Sequence, residues 1–245
     1  LSELMDGIKN TFSNPKPTRL INSIINVSNC KDGDVVLDFF LGSGTTYQAA
    51  IESGLDIRFI GIQIDDPLDE KNKDHLPALD FCKKNGLKKV LSELTKERMR
   101  RVLTNVANAD LNGFRVFKID ESNMSDVYYS PDALSQGNLD LLVDNIKPDR
   151  TDEDLLFQVL LDWGIELSMP IRKETIQGKS VFFVDDDALV ACFDLRINEA
   201  LIKELATKEP LRVVFRDDGF ESDAVKINAE QIFKQVSPHT EVKAI

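Results

Sequence analysis
The chain has 245 residues, 42% of them hydrophobic and 29% charged, which is enough to bury a sizeable core as one large domain or two smaller ones. No apolar run approaches the ~18 residues of a membrane span, so a membrane protein is not expected. The net charge of −12 has the wrong sign for a free-standing DNA-binding domain, which must replace condensed counterions with Lys and Arg.

Taken in chain order, Leu20, Ile21, Ile24, Ile25 and Val27 recur near helical spacing, and Pro17 suits the opening of that helix. Lys31-Asp32-Gly33-Asp34 reads as a turn before a short buried strand, Val35 to Phe39. Gly42-Ser43-Gly44 breaks that strand. A helix follows from Thr45 to Ser53, stopped by Gly54, and then a second strand from Arg58 to Ile62. Asp65 to Leu79 is polar, contains two prolines and reads as a long loop. Leu91 to Ala107 reads as an amphipathic helix and Phe114 to Lys118 as a third strand. Strands alternating with helices imply parallel pairing and the opening of a doubly wound α/β sheet. Fewer strands occur before Asp120 than a complete sheet of that kind needs.

Ser122 to Asp149 is rich in Asp, Asn, Ser and Pro and suits a linker, placed at residues 126–150 between a first domain at 1–125 and a second at 151–245. In the second domain Thr151 or Asp152 caps a helix through Asp162. Ser180 to Val184 and Leu189 to Phe193 form a hairpin about Asp185-Asp186-Asp187. A helix from Asn198 to Ala206, a strand from Leu211 to Phe215, a helix from Asp223 to Gln235 and a last strand at Val242 to Ile245 complete it. Cys30, Cys82, Cys192, His75 and His239 lack paired spacing, so neither a zinc site nor a disulfide framework is expected, and a reduced, cytoplasmic protein is. Cys30 and Cys192 read as core fillers. Trp163 reads as core or as an interface anchor. The basic cluster Lys96, Arg98, Arg100 and Arg101 reads foremost as the solvated face of its helix.

Asp38-Phe39-Phe40-Leu41-Gly42-Ser43-Gly44-Thr45-Thr46 carries the chemistry. A strand that runs into two near-adjacent glycines and then a helix makes a ligand cradle, because glycine permits sharp turns and the helix offers unpaired N–H groups. No lysine stands where a P-loop requires one. Tyr47 occupies the third glycine position of a dinucleotide fingerprint. Asp38 at the strand end repels a pyrophosphate and suits an ammonium or a sugar hydroxyl. These features point to a nucleoside bearing a cationic group.

The segment Val36 to Thr46 resembles the cofactor motif of the amino-methyltransferases that modify adenine N6 or cytosine N4 in DNA. Just upstream, Asn14-Pro15-Lys16-Pro17-Thr18-Arg19-Leu20-Ile21 resembles their companion motif at the methionine end of S-adenosylmethionine. This order is the β-type arrangement, in which the catalytic Asp-Pro-Pro-Tyr loop and the target-recognition region precede both motifs. Phe114 to Asp120, Asp154 to Gly164, Leu211 to Asp217 and Asn228 to Gln235 resemble the C-terminal part of the modification (Mod) subunits of type III restriction–modification systems.

The resemblance implies a Rossmann-like S-adenosylmethionine-dependent core, followed by a small α/β C-terminal domain. It also implies a site made by Asn14, Lys16, Asp38, Phe39, Phe40, Gly42, Ser43, Gly44 and Thr45. Asp38 and Lys16 would hold the methionine end and Phe39 and Phe40 would line the pocket. Gln63, or else Asp65, stands where related enzymes place a ribose-binding glutamate. The implied partners are DNA, a restriction (Res) subunit and a second copy of the chain. No Asp-Pro-Pro-Tyr or close variant occurs among the 245 residues. Asp65-Asp66-Pro67-Leu68 and Tyr129-Ser130-Pro131-Asp132 lack the second proline and the aromatic. No catalytic residue and no metal ligand is therefore expected in this chain. The missing initiator Met at Leu1 points the same way, to a fragment or a processed chain. A non-catalytic dimerisation or subunit-docking module is the alternative expectation.

Overall fold
A computed structural model describes residues 1–105, 113–125 and 146–245. The expected linker at 126–150, the Tyr129 to Asp132 segment and the end of the helix expected to reach Ala107 lie largely or wholly outside these residues. The chain folds as two compact units, Leu1–Phe114 and Arg115–Ile245. Both mix helices and strands, as the alternation of patterns requires.

In the first unit, α1 (Thr18–Val27) leads to β1 (Val35–Asp38), α2 (Thr45–Glu52) and β2 (Arg58–Gly61). The strands pair in parallel, with Val36 opposite Phe59 and Asp38 opposite Gly61. α1 packs against α2. Two helices follow, α3 (Leu76–Asn85) and α4 (Leu91–Thr104). α3 corrects the expectation of a loop through Leu79. Pro77 stands in its first turn, where a missing N–H costs nothing, and Gly86 ends it in the left-handed conformation at φ 64°. The prolines of this stretch thus mark a helix start as well as a loop.

The first unit's core is divided. Met5, Phe12, Phe81, Cys82 and Leu94 form one buried cluster, and Leu41, Tyr47, Met99 and Val102 form another. The sheet itself is little covered. Leu37 is 54% and Ile60 51% exposed, although parallel strands normally bury both faces.

Phe114 to Lys118 forms no strand. Its aromatic and branched residues favour an extended backbone, but a strand also needs a ladder partner, and no described strand pairs with it. Side-chain contacts tether the segment instead. Arg115 donates to the carbonyls of Leu167 and Met169, and the Phe117 ring meets Phe157 edge-on at 4.7 Å.

The second unit is a five-stranded mixed sheet in the order β3 (Ile171–Ile176), β4 (Lys179–Val184), β5 (Leu189–Cys192), β6 (Arg212–Phe215), β7 (Glu241–Ala244). β3, β4 and β5 pair antiparallel, and β5, β6 and β7 pair parallel. α6 (Glu199–Ala206) and α7 (Asp223–Val236) cover the face made by Val181, Phe183, Val190, Cys192, Val213 and Phe215. α5 (Asp152–Asp162) covers the face made by Phe182, Val184, Leu189, Ala191 and Val214. Burial on both faces explains why these strands read as unbroken apolar runs.

β3 was not expected from the sequence. Its Ile-Arg-Lys-Glu-Thr-Ile run is mostly polar because it is an edge strand, and its exposed cations suit an edge. Asp185 and Asp186 turn the β4–β5 hairpin at φ 50° and 56°. α5 opens with a full capping box between Thr151 and Asp154. Cys192 is fully buried, and burial pushes its thiol up to about 12, as a core filler requires. Cys30 is only half-buried. Trp163 is half-buried, with the Lys243 ammonium 4.8 Å and the Arg212 guanidinium 5.4 Å from its ring centroid.

Candidate functional site
The loop between β1 and α2 is a sharp turn braced from three sides. Gly42 and Gly44 take positive φ, 53° and 76°, and Gly44 stands at the N-cap of α2 without a side-chain cap. A Cβ at Gly44 would come within 3.2 Å of the Thr95 methyl, so both conformation and space favour glycine there.

Asp38 closes the turn from within. One carboxylate oxygen accepts from the Phe40 N–H at 3.1 Å, and the other accepts from the Thr46 hydroxyl at 2.5 Å. A carboxylate has about four acceptor positions, so these bonds leave room for an ammonium or a hydroxyl. Gln63 supports the loop from beyond β2. Its Oε1 accepts from the Gly42 N–H at 2.7 Å, while its Nε2 donates to the Ile64 carbonyl at 3.0 Å. One amide N–H of Gln63 remains for a ligand. Asp65, the alternative to Gln63, accepts from the Ser92 hydroxyl.

The third brace comes from α4. Thr95 donates to the Gly42 carbonyl. Arg98 donates to the Ser43 carbonyl at 2.8 Å, to Thr45 Oγ1 at 3.2 Å and to Gln48 Oε1 at 2.6 Å. Arg98 is only 2% exposed, and burial pushes its guanidinium down to about 10. The solvated-face expectation fails for this residue. Arg98 belongs to the buried stripe Leu94, Thr95, Arg98, Met99 and Val102. The rest of the basic cluster is spent on acids: Lys96 on Glu93 at 2.5 Å, Arg100 on Glu97 at 3.5 Å, Arg101 on Asp6 at 2.8 Å.

The two sequence motifs meet here. The Lys16 carbonyl accepts from Thr45 Oγ1 at 3.1 Å, and Ser43 Oγ lies 3.0 Å from the same hydroxyl. The segment Asn14 to Pro17 thus passes beside the N-terminus of α2. Asn14 and Lys16 are exposed. Phe39 and Phe40 lie with ring centroids 5.1 Å apart and are 60% and 78% exposed, an open apolar shelf beside the glycines. Tyr47 points away into the core, against Phe59 and Phe114.

Thr95 and Arg98 are the site residues that motif reading missed. The signal was their place on the helical stripe, four residues on from Leu91 and Leu94. Among the described residues no cluster of His, Cys, Asp and Glu is arranged to hold a metal ion. No helix among them is long and apolar enough to cross a membrane.

A family model described as DNA methylase matches residues 2–70, a stretch that contains both motifs and the glycine loop. The chain is 27% identical over 239 residues to the type III restriction-modification enzyme EcoP15I Mod subunit of Escherichia coli, covering 91% of this chain and 33% of that protein. The EcoPI Mod subunit of Escherichia phage P1 is 29% identical over 225 residues, covering 86% and 33%. The StyLTI Mod subunit of Salmonella typhimurium is 37% identical over 119 residues, covering 44% and 17%. The chain spans at most about a third of the length of these relatives. It is a relative of the Mod subunits of type III restriction–modification enzymes, similar to them through both of its structural units.

Proposed function
We propose that this chain is the S-adenosylmethionine-binding portion of a DNA adenine-N6 methyltransferase of a type III restriction–modification system. The observation that carries the reading is the braced glycine loop at the end of β1, with Asp38 inside it and the Lys16 segment bonded across it. The kinship with DNA methylases over residues 2–70 supports it.

The residues present suit this cofactor. Gly42 leaves open space, since a Cβ there would meet only the Phe40 carbonyl, at 3.7 Å. Asp38 retains acceptor positions for the amino-acid ammonium. Lys16 offers an exposed ammonium for a carboxylate, and the Gln63 amide offers an N–H for a ribose hydroxyl. Phe39 and Phe40 give an apolar surface on which a flat ring can lie. When bound, the sulfonium supplies the methyl group for transfer to an amine. The chain's own contribution is orientation, which can account for roughly 7–11 kcal/mol of a barrier when both reactants are held.

In this reading the first unit is an open, Rossmann-like core. Asp-Pro-Pro-Tyr is not in the sequence, so nothing identified here grips an adenine amine, and the isolated chain is inactive. The second unit serves self-association or docking of a Res subunit, in a cytoplasmic enzyme whose DNA contacts lie mainly in other polypeptide. The partition 1–125, 126–150 and 151–245 is the functional division proposed.

Calorimetry with S-adenosylhomocysteine tests the reading. Binding by the parent chain and its loss in both Asp38→Ala and Asp38→Asn is expected. Unchanged affinity in both variants refutes the assignment. The same preparations, given tritiated methyl donor and mixed-sequence DNA, should incorporate no label. Clear incorporation would mean that the chain has a catalytic loop of another sequence.

A further inference from the structure
The glycine loop spends all but one of its own amides on its own shape. The Gly42 N–H donates to Gln63 Oε1 at 2.7 Å, and the Gly44 N–H donates to the Leu41 carbonyl at 2.9 Å. The Ser43 N–H has no acceptor among the described residues. The Ser43 hydroxyl does not share this freedom. Thr45 Oγ1 gives its proton to the Lys16 carbonyl at 3.1 Å, so across the 3.0 Å gap between the two hydroxyls it is Ser43 Oγ that donates.

A spare N–H serves a ligand only if its peptide plane is fixed. The peptide joining Gly42 to Ser43 is trans, so its carbonyl and its N–H point in opposite directions. Thr95 Oγ1 donates to that carbonyl from α4, and the Ser43 N–H therefore points away from α4. This peptide makes no other hydrogen bond among the described residues, and it follows a glycine, whose backbone turns freely. Thr95 is 2% exposed and lies on the buried stripe of α4. A helical Thr commonly spends its hydroxyl on the carbonyl four residues back. Thr95 reaches that carbonyl too, on Leu91 at 3.0 Å, but its single proton is shared with a loop 53 residues distant. The next peptide is held as well, by Arg98 on the Ser43 carbonyl at 2.8 Å and by the return of the Gly44 N–H to Leu41.

We propose that Thr95 is a positioning residue: its bond to the Gly42 carbonyl aims the Ser43 N–H at an acceptor on the bound ligand, and Arg98 steadies the adjoining peptide. This role rests on the cofactor reading of the loop and adds to it a residue that lies outside both sequence motifs. Thr95 itself does not touch the ligand; it acts through the backbone.

The test is calorimetry with S-adenosylhomocysteine on the whole chain and on Thr95→Val and Thr95→Ser, beside the two Asp38 variants. Val keeps the branched shape of Thr and removes the donor, whereas Ser keeps the donor and removes the methyl. Parent-like affinity in Thr95→Ser and about tenfold weaker affinity in Thr95→Val are expected, the worth of one hydrogen bond. A role in packing alone predicts the opposite order, since Ser is the replacement that leaves a space. NMR of the backbone amides gives a second reading. On saturation with S-adenosylhomocysteine the Ser43 amide proton should move downfield in the parent and in Thr95→Ser, and not in Thr95→Val. Should Thr95→Val unfold the first unit, the Ser43 shift in the parent decides, and a Ser43 amide that does not respond overturns the proposal. Lost binding in the Asp38 variants with unchanged affinity in Thr95→Val overturns it too and leaves the cofactor reading standing. Unchanged affinity in both Asp38 variants refutes the cofactor reading, and this role with it.

Discussion

Replacing Arg98 with Met keeps most of the side-chain volume and removes the guanidinium that ties α4 to the glycine loop. Three hydrogen bonds are lost, to the Ser43 carbonyl, Thr45 Oγ1 and Gln48 Oε1. Each bond to a charged donor is worth about 1.5–3 kcal/mol. Against this, burying the charge costs about 3 kcal/mol, the equivalent of the guanidinium's fall from 12.5 to about 10. Met is spared that cost but leaves the Ser43 carbonyl and the Gln48 amide oxygen to find water. The expected net loss is about 2–4 kcal/mol, confined to the first unit. Hydrogen exchange read by mass spectrometry over Leu41–Glu52 should show opening about thirtyfold faster or more. Trp163, the only tryptophan, belongs to the second unit, and its fluorescence-monitored urea transition should not move. Exchange in Arg98→Met within threefold of the parent would refute the view that Arg98 holds the loop.

The remaining expectations concern conformation and burial. Gly44→Ala forces a left-handed φ of 76° on a residue with a Cβ and pushes it to 3.2 Å from the Thr95 methyl, so a loss of about 1–2 kcal/mol and faster exchange across the loop are expected; unchanged exchange would contradict the turn geometry. Leu189→Ala empties a fully buried position in β5 and should cost about 2–5 kcal/mol in the Trp163-monitored transition, whereas Leu37→Ser, at a residue 54% exposed, should cost about 0.5 kcal/mol or less in exchange protection of the first unit. Equal effects of the two would show that β1 is covered after all.

How much could be read from the chain depended on where each residue type obtained its partners. The strands β4, β5 and β6 were legible because both of their faces are buried and the sequence is apolar throughout. The α5 start was legible because its capping box is local. β3 was not, since an edge strand is defined by the neighbour it pairs with and its own residues are polar. Phe114 to Lys118 failed in the opposite sense: its residues favour strand, but no described partner pairs with it. At the site, the glycines, Asp38 and the Lys16 segment were legible as motifs, and the structure brings them together. Arg98 was misjudged because charge outweighed its position. Its spacing from Leu94 and Val102 placed it on the buried face, and its partners are backbone and amide oxygens 50 or more residues away.

The two units reach order by different means, and this bears on what each can do. The second has a sheet buried on both faces, where apolar packing alone fixes the strands. The first has a two-stranded sheet whose apolar side chains are half exposed, so packing cannot fix the turn at its end. Polar bonds do so instead. Gly42 is bonded at its N–H by Gln63 and at its carbonyl by Thr95, Ser43 is bonded by Arg98, and Asp38 accepts from both ends of the turn. A loop held this way keeps its shape without a covered sheet behind it, and a ligand entering it spends little binding energy on ordering the backbone. The same bonds hold a buried guanidinium, met by uncharged acceptors alone, against the loop.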